Sequence, residues 1–347
     1  MWKAAALAGL ILSGIISING QTTSELHGFF RNQMGLTEDQ IAMVDRGKAV
    51  AKLINSKAPG EVIIFGAVFV DAPPADYVQL ALDVERLRRS PSYLAVRRFS
   101  SPPAASDLDG FSLEPDDIRN LKLCRPGKCG VQLPADAMHH LQQSLNWSAP
   151  DIEAQVNERM RGVALDIVRR YQTDGNRVIG NYHDTEHPFD LDSQLRALLG
   201  RSEALPHYLP QLSRFLLDYP NAVPANAQSV LYWERVSFGL KPTLRLNHAI
   251  AYQPTGPMNG AQVVVVKQLF ASHYFQLALD VTACVPDNVR RGFYLITLKG
   301  SAQQGLTGWK GALLRLIVVS RTRSAQEKIL LNIKQVLEEK QQAARAR

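Results

Sequence analysis

Five consecutive residues, His183-Asp184-Thr185-Glu186-His187, have the composition of a zinc-peptidase motif, two imidazoles with a glutamate beside the second. That chemistry needs both rings on one face of a helix and the carboxylate next to a metal-bound water. Here Gly180-Asn181 precedes the segment and Pro188 follows it. A proline moves the residue before it out of helical geometry, so the segment reads as a polar loop and no metal is expected there. His139-His140 sits on a predicted helix, where neighbours point about 100° apart, so at most one ring faces inward. Asp107-Leu108-Asp109-Gly110, followed by Asp116 and Asp117, has the start of a calcium loop without its third acidic position or closing glutamate. Gly300-Ser301-Ala302 and Gly305-Leu306-Thr307-Gly308 lack the lysine or the glycine triplet of phosphate loops, and no Gly-x-Ser-x-Gly elbow occurs. No cofactor is expected. One acid–base arrangement stays open, Glu234 with His248 or His273.

The cysteines say more. Cys124 and Cys129 flank Arg-Pro-Gly-Lys, and the central Pro-Gly allows the chain to turn back on itself. In an oxidising compartment this predicts a small local disulfide. The spacer is longer than that of a redox dithiol, and no second pair completes a zinc site. Cys284 closes an apolar strand and reads as a buried free thiol.

Residues 1–20 have the pattern of a secretory leader: Lys3, the uncharged apolar run Ala4 to Ile18, then Asn19 and Gly20 as a cleavage position. The run is shorter than the roughly 20 residues that span a bilayer. The reading is therefore an exported, periplasmic or envelope-associated protein, with an uncleaved amino-terminal anchor as the alternative. The 347 residues are 46% hydrophobic and 20% charged, which places the chain among folded globular proteins. Lys and Arg outnumber Asp and Glu by 39 to 32, a diffuse excess with short clusters at Arg86–Arg89, Arg97–Arg98 and Arg290–Arg291. No stripe interleaves aromatic and basic residues, so nucleic acid is not an expected partner; an anionic membrane surface fits the charge.

These residues need elements to hold them. Thr37-Glu38-Asp39-Gln40 is a capping box opening a helix, and a second helix is expected over Lys48–Asn55. Val62–Val70 is a buried strand by its β-branched and aromatic content, Asp76–Arg89 carries a helical stripe, and Tyr93–Phe99 is a second strand. Ser100 to Asp117 is loop-like, and Pro134 to Tyr219 is mostly helical, with Ile152, Val156, Val163, Ile167 and Tyr171 on one face of the longest helix. Strands follow at Ser229–Phe238, Thr243–Tyr252, Gln262–Phe270, Tyr274–Cys284, Phe293–Leu298 and Leu313–Ser320. A helix from Ser324 to Lys340 closes the chain, with Ile329, Leu330, Ile333, Val336 and Leu337 inward. The organisation is a leader (1–20), a helical segment (21–60), an α+β part (61–99), a mainly helical insertion (100–228), a second α+β part (229–340) and a basic tail (341–347).

Val62–Val70 running through Asp71-Ala72-Pro73 into a helix, and Leu313–Ser320 running through Arg321 into Ser324–Lys340, resemble the opening and closing of the START-like (SRPBCC) superfamily. The resemblance implies a helix-grip fold: a curved antiparallel sheet gripping a long C-terminal helix, interrupted here by the helical insertion. It implies a cavity for an apolar or amphipathic, lipid-like molecule. Strand alternation nominates Tyr232, Glu234, His248, Tyr252, His273 and Phe275 for its wall. The Cys-Arg-Pro-Gly-x-Cys segment also resembles one found in exported bacterial proteins of unknown function. An enzyme on the same scaffold, or an envelope protein binding a partner through the helical insertion, are the alternatives.

Overall fold

A computed structural model describes residues 23–54, 60–200, 204–237, 241–303 and 308–346, except the side chains of residues 204, 257, 303 and 308–322. The expected leader lies outside the described residues.

Two helices come first, α1 (Thr23–Asn32) and α2 (Glu38–Asp45). The Thr37 hydroxyl accepts from the Gln40 amide at 3.2 Å, and the Gln40 side chain accepts from the Thr37 N–H at 3.0 Å, closing the predicted capping box. The helix expected over Lys48–Asn55 is instead strand β1 (Val50–Ile54), paired antiparallel with β2 (Glu61–Val70). A segment this short gains more backbone hydrogen bonds from a neighbouring strand than from a single helical turn. β2 leads into α3 (Pro74–Leu82) and a 3₁₀ turn, Val84–Arg89, which break the single helix expected over Asp76–Arg89 at Asp83. β3 (Tyr93–Arg98) follows.

The insertion then carries α4 (Pro115–Leu121), α5 (Ala135–Ser144) and α6 (Ile152–Asp174), a two-residue ribbon of β4 (Asn181–Tyr182) and β5 (Phe189–Asp190), and α7 (Leu191–Gly200), α8 (Ala204–Tyr208) and α9 (Pro210–Asp218). α6 buries Val156, Met160, Ala164, Val168 and Tyr171, a stripe rotated slightly from the predicted one. β6 (Gln228–Val236), β7 (Thr243–Tyr252), β8 (Gln262–Ala271), β9 (Phe275–Pro286) and β10 (Phe293–Gln303) form a meander, and α10 (Gly308–Arg345) ends the chain.

The fold is α+β. One curved, open antiparallel sheet runs in the order β1-β2-β10-β9-β8-β7-β6-β3. Strands from both sides of the insertion build it: β10 pairs with β2, Leu295 opposite Val68, and β3 pairs with β6, Val96 opposite Glu234. The strand expected at Leu313–Ser320 is part of α10. With Arg315 the only charge in it, this run has no period to separate strand from helix, and no glycine or proline interrupts the chain after Gly311.

α10 packs over β1 and β2, at one end of one sheet face. Gln326 donates to the Thr297 hydroxyl (2.8 Å), and the Glu338 carboxylate accepts from the Asp71 N–H (2.8 Å). Gly66 permits this approach: a Cβ there would stand 2.9 Å from Leu330 Cδ1 and 2.8 Å from Thr297 Oγ1. Leu330 and Leu337 are buried as expected, whereas Ile329 is exposed. α3 covers the middle of the same face, where Tyr77 packs with Val68, Cys284 and Leu295. Cys284 is a buried free thiol.

The opposite face carries α1, α2 and the insertion. Phe30, Phe65, Phe215, Ile250, Val265 and Tyr294 share one core cluster, and Phe111, Val156, Tyr171, Trp233, Leu246 and Phe270 share another. Each cluster mixes sheet and insertion side chains, so the insertion is packed onto the sheet. The apolar stripe of α6 is used inside the molecule.

Candidate functional site

Register decides which nominated residues meet. Tyr232 lies opposite Asn247 and Glu234 opposite Arg245, whereas His248 lies opposite Leu231. Successive side chains of a strand point to opposite faces. Following the register through Ala251–Val264, Val264–Thr282 and Thr297–Gly66 places Tyr232, Glu234, Arg245 and Asn247 on the α10 face. His248 and Tyr252 belong to the other face, under the insertion. Neither Glu234–His248 nor Glu234–His273 is formed: the first two are on opposite faces, and His273 is bonded to Asp117.

On the α10 face, Arg245 Nη1 donates to Glu234 Oε1 (2.9 Å) and its Nε to Gln268 Oε1 (3.1 Å). Gln268 in turn donates to the Phe275 carbonyl (2.9 Å), and the Arg245 guanidinium stands 5.6 Å from the centre of the Phe275 ring. Tyr232, Glu234 and Phe275 are thus brought together, with Arg245 joining them. Burial pushes the Glu234 carboxyl up from its usual range, against the pull of the Arg245 charge. Burial likewise raises the phenols of Tyr232 and Tyr93, keeping both neutral.

Asn247 is 1% exposed. Its amide lies near enough to Glu234 to favour the charged carboxylate, yet neither Nδ2 nor Oδ1 is in a formed hydrogen bond. Further across the sheet, Lys299 Nζ pairs with Asp280 Oδ2 at 2.8 Å. Their side chains are 34% and 36% exposed, far more than a pair in mid-sheet would be under a sealed core. Val266 lies opposite Asp280 and Ala249 opposite Val266, so the floor between the polar groups is made of small apolar side chains.

Sequence reasoning missed Arg245, Asn247, Gln268, Asp280 and Lys299. The alternation in β7 held part of this: Thr243, Arg245 and Asn247 fall on one row, and Leu244, Leu246, His248, Ile250 and Tyr252 on the other. Which row faces α10 is written only in the pairing.

The other face has its own polar group. Lys267, 1% exposed, donates to Asn176 Oδ1 and to the Tyr171 hydroxyl (3.4 Å), and its ammonium lies 4.9 Å from the centre of the Tyr171 ring. The Tyr171 hydroxyl shares a 3.1 Å hydrogen bond with His248 Nδ1, and Tyr219 stacks on Tyr171 at 4.5 Å. Burial draws Lys267 down to about 7. Burial and, second, the Lys267 charge draw His248 down to about 3, so its ring is neutral. Tyr252 is buried among Ile250, Val263 and Leu212. These groups fasten α6 and the 3₁₀ turn Gly175–Val178 to the sheet.

At the β8–β9 turn, His273 Nε2 meets Asp117 Oδ2 (2.8 Å), and Lys241 Nζ meets Asp117 Oδ1 (2.5 Å). Burial favours the protonated Asp117, but hydrogen bonds from His273 and Lys241 outweigh it and hold the carboxyl below its usual range.

Cys124 and Cys129 are joined in a disulfide. The turn it closes docks on the zinc-like segment: Gly127 N–H donates to the His183 carbonyl (2.7 Å) and Cys129 N–H to the Asp184 carbonyl (3.0 Å). The segment is non-helical. Among the described residues no group of three or more His, Cys, Asp or Glu could hold a metal ion. In the acidic loop, Asp107 accepts from the Ser100 hydroxyl (2.8 Å) and the Ala104 N–H (2.7 Å), and Asp109 pairs with Arg97 (3.2 Å). His139 and His140 are both exposed.

No family model, curated protein or solved structure matches the chain.

Proposed function

We propose that the protein binds an apolar or amphipathic, lipid-like small molecule on the α10 face of its sheet, and that it works outside the cytoplasm. The observation that carries the reading is the stretch of that face holding Asp280, Lys299, Val266 and Asn247. Two half-exposed charged residues there adjoin buried polar groups over an apolar floor. Binding sites for such ligands combine apolar walls with a few convergent polar groups. A curved sheet with a long terminal helix laid along one face is also the arrangement that the START-like resemblance implies, and in the first half of α10 every residue from Leu313 to Val319 except Arg315 is apolar.

The disulfide is consistent with an oxidising compartment. No helix among the described residues is long and apolar enough to cross a membrane. A leader at residues 1–20 would deliver the chain to such a compartment, and the basic excess would suit an anionic membrane surface there. The burial of the α6 stripe weighs against a partner docking on that helix.

The test is native mass spectrometry of protein purified from a periplasmic fraction, followed by organic extraction. A co-purifying lipid-like mass supports the reading. An empty protein that also takes up nothing from a total lipid extract sinks it.

A further inference from the structure

We propose that the disulfide turn, residues 122–129, docks the protein on an anionic lipid bilayer. Leu123 enters the bilayer interface, and Lys122, Arg125 and Lys128 lie against the lipid phosphates. The proposal rests on the reading above only for the compartment, outside the cytoplasm, and is independent of the ligand on the α10 face.

Leu123 is 81% exposed. A lone exposed leucine is ordinary on a protein surface, and this one draws its meaning from how it is held. Gln142 Nε2 hydrogen-bonds the carbonyls of Leu121 (2.7 Å), Lys122 (3.2 Å) and Cys124 (3.1 Å), which fixes the backbone on both sides of it. Next along the chain, Arg125 and Lys128 exchange backbone hydrogen bonds of 2.9 and 3.1 Å around Pro126-Gly127, and the Cys124–Cys129 bridge closes the base. Gly127 and Cys129 then tie the turn to His183 and Asp184. The leucine cannot fold down onto the protein without breaking these bonds. A turn built in advance loses little conformational freedom when it docks.

The charge around it is one-sided. Lys122, Arg125 and Lys128 are all exposed. Among the described residues none of the three is in an ion pair, unlike Arg119 on α4, which pairs with Asp116. Leu123 and Arg125 each adjoin Cys124, Lys128 adjoins Cys129, and the Cα atoms of the two cysteines are 4.5 Å apart, so the cations crowd round the leucine. In the segment beneath the turn Asp184 is buried and Glu186 exposed, so three exposed cations face one exposed carboxylate. A folded protein partner would need an apolar patch to bury, and no other large apolar side chain is exposed over 115–147 or 181–190. A bilayer needs no patch. It closes around a single protruding leucine while its phosphates meet the cations.

The experiment is co-sedimentation of protein purified from a periplasmic fraction with vesicles of phosphatidylcholine, alone or mixed with phosphatidylglycerol. The wild type should bind the anionic vesicles about a hundredfold more tightly, since three cations each contribute roughly fivefold. High salt should shrink that preference. Leu123→Ser should weaken binding about tenfold. The triple variant Lys122→Gln, Arg125→Gln, Lys128→Gln should lose the preference for anionic vesicles. The double variant Arg86→Gln, Arg89→Gln removes two cations from the 3₁₀ turn Val84–Arg89 and should bind like the wild type. Equal affinity of the wild type for both vesicles, wild-type binding by Leu123→Ser, or an equal loss in the Arg86/Arg89 variant overturns the proposal. Lipid extraction judges the ligand separately: a protein that carries a lipid yet ignores both vesicles refutes the docking alone, and one that docks while empty refutes the ligand alone.

Discussion

Replacing Lys267 by methionine tests whether a buried, hydrogen-bonded ammonium is a burden on this fold. Met has a similar reach and no charge to desolvate. The ordinary pKa of the side chain is 10.5, and burial lowers it to about 7. That gap corresponds to about 5 kcal/mol, an upper figure for the cost of keeping the amine charged inside the protein. The sign follows from proton binding. The folded amine holds its proton less tightly than the unfolded one, so between pH 7 and 10.5 the unfolded chain carries more protons and stability rises with pH. Below pH 7 the penalty is at its full value. From pH 7 to 9 this group alone should raise the wild-type unfolding free energy by about 2 kcal/mol. Lys267→Met removes that slope, and it leaves Asn176 Oδ1 without its lysine donor while the Tyr171 hydroxyl keeps His248, a loss of about 1–3 kcal/mol. The variant should therefore be more stable than the wild type by about 2 kcal/mol at pH 7, with the two curves meeting near pH 9. His248 titrates too low to contribute in this window. Urea titrations followed by tryptophan fluorescence at pH 7, 8 and 9 measure the effect. Parallel pH profiles for the two proteins, or a variant less stable at pH 7, would refute the argument that the lysine is desolvated where it stands.

Three further outcomes are expected. Gly66→Ala drives a methyl into Thr297 and Leu330 and should destabilise by about 1–3 kcal/mol, with faster amide exchange at 326–338 in α10 than in β7; uniform exchange would show that α10 does not depend on that contact. Asp117→Asn strands His273 and Lys241 and should cost about 3 kcal/mol at pH 7. Because the Asp117 pKa is depressed in the fold, its contribution is present above the ordinary carboxylate range and lost as pH falls through the folded value, so wild type and variant should converge in acid urea titrations. Cys124→Ser opens a short loop worth about 2 kcal/mol by chain entropy, and a loss much above that would mean the turn organises more of the insertion than its contacts with His183 and Asp184.

Much of this architecture can be read along the chain. Local chemistry settles the Thr37 capping box, the turn that brings Cys124 to Cys129, and the loop character of His183–His187, because cap, turn and proline effects reach only a few residues. Periodicity likewise marks β7 and its neighbours as strands, and the change from helical to alternating pattern marks where the insertion ends.

Pairing decides the rest. Residues 50–54 become a strand because β2 is beside them, and Leu313–Ser320 becomes helix because no strand edge claims it and the residues after it continue the turn. The site turns on the same cause. Tyr232 and His248 both alternate correctly within their own strands, but the β6–β7 register sends one toward α10 and the other toward α6. A register is a relation between strands, and a slip of one residue would exchange the two faces. Local sequence therefore determines which side chains alternate together. The tertiary fold determines which row faces the helix, and with it why Asn247, Asp280 and Lys299 share a surface with Glu234 while His248 lies under the insertion.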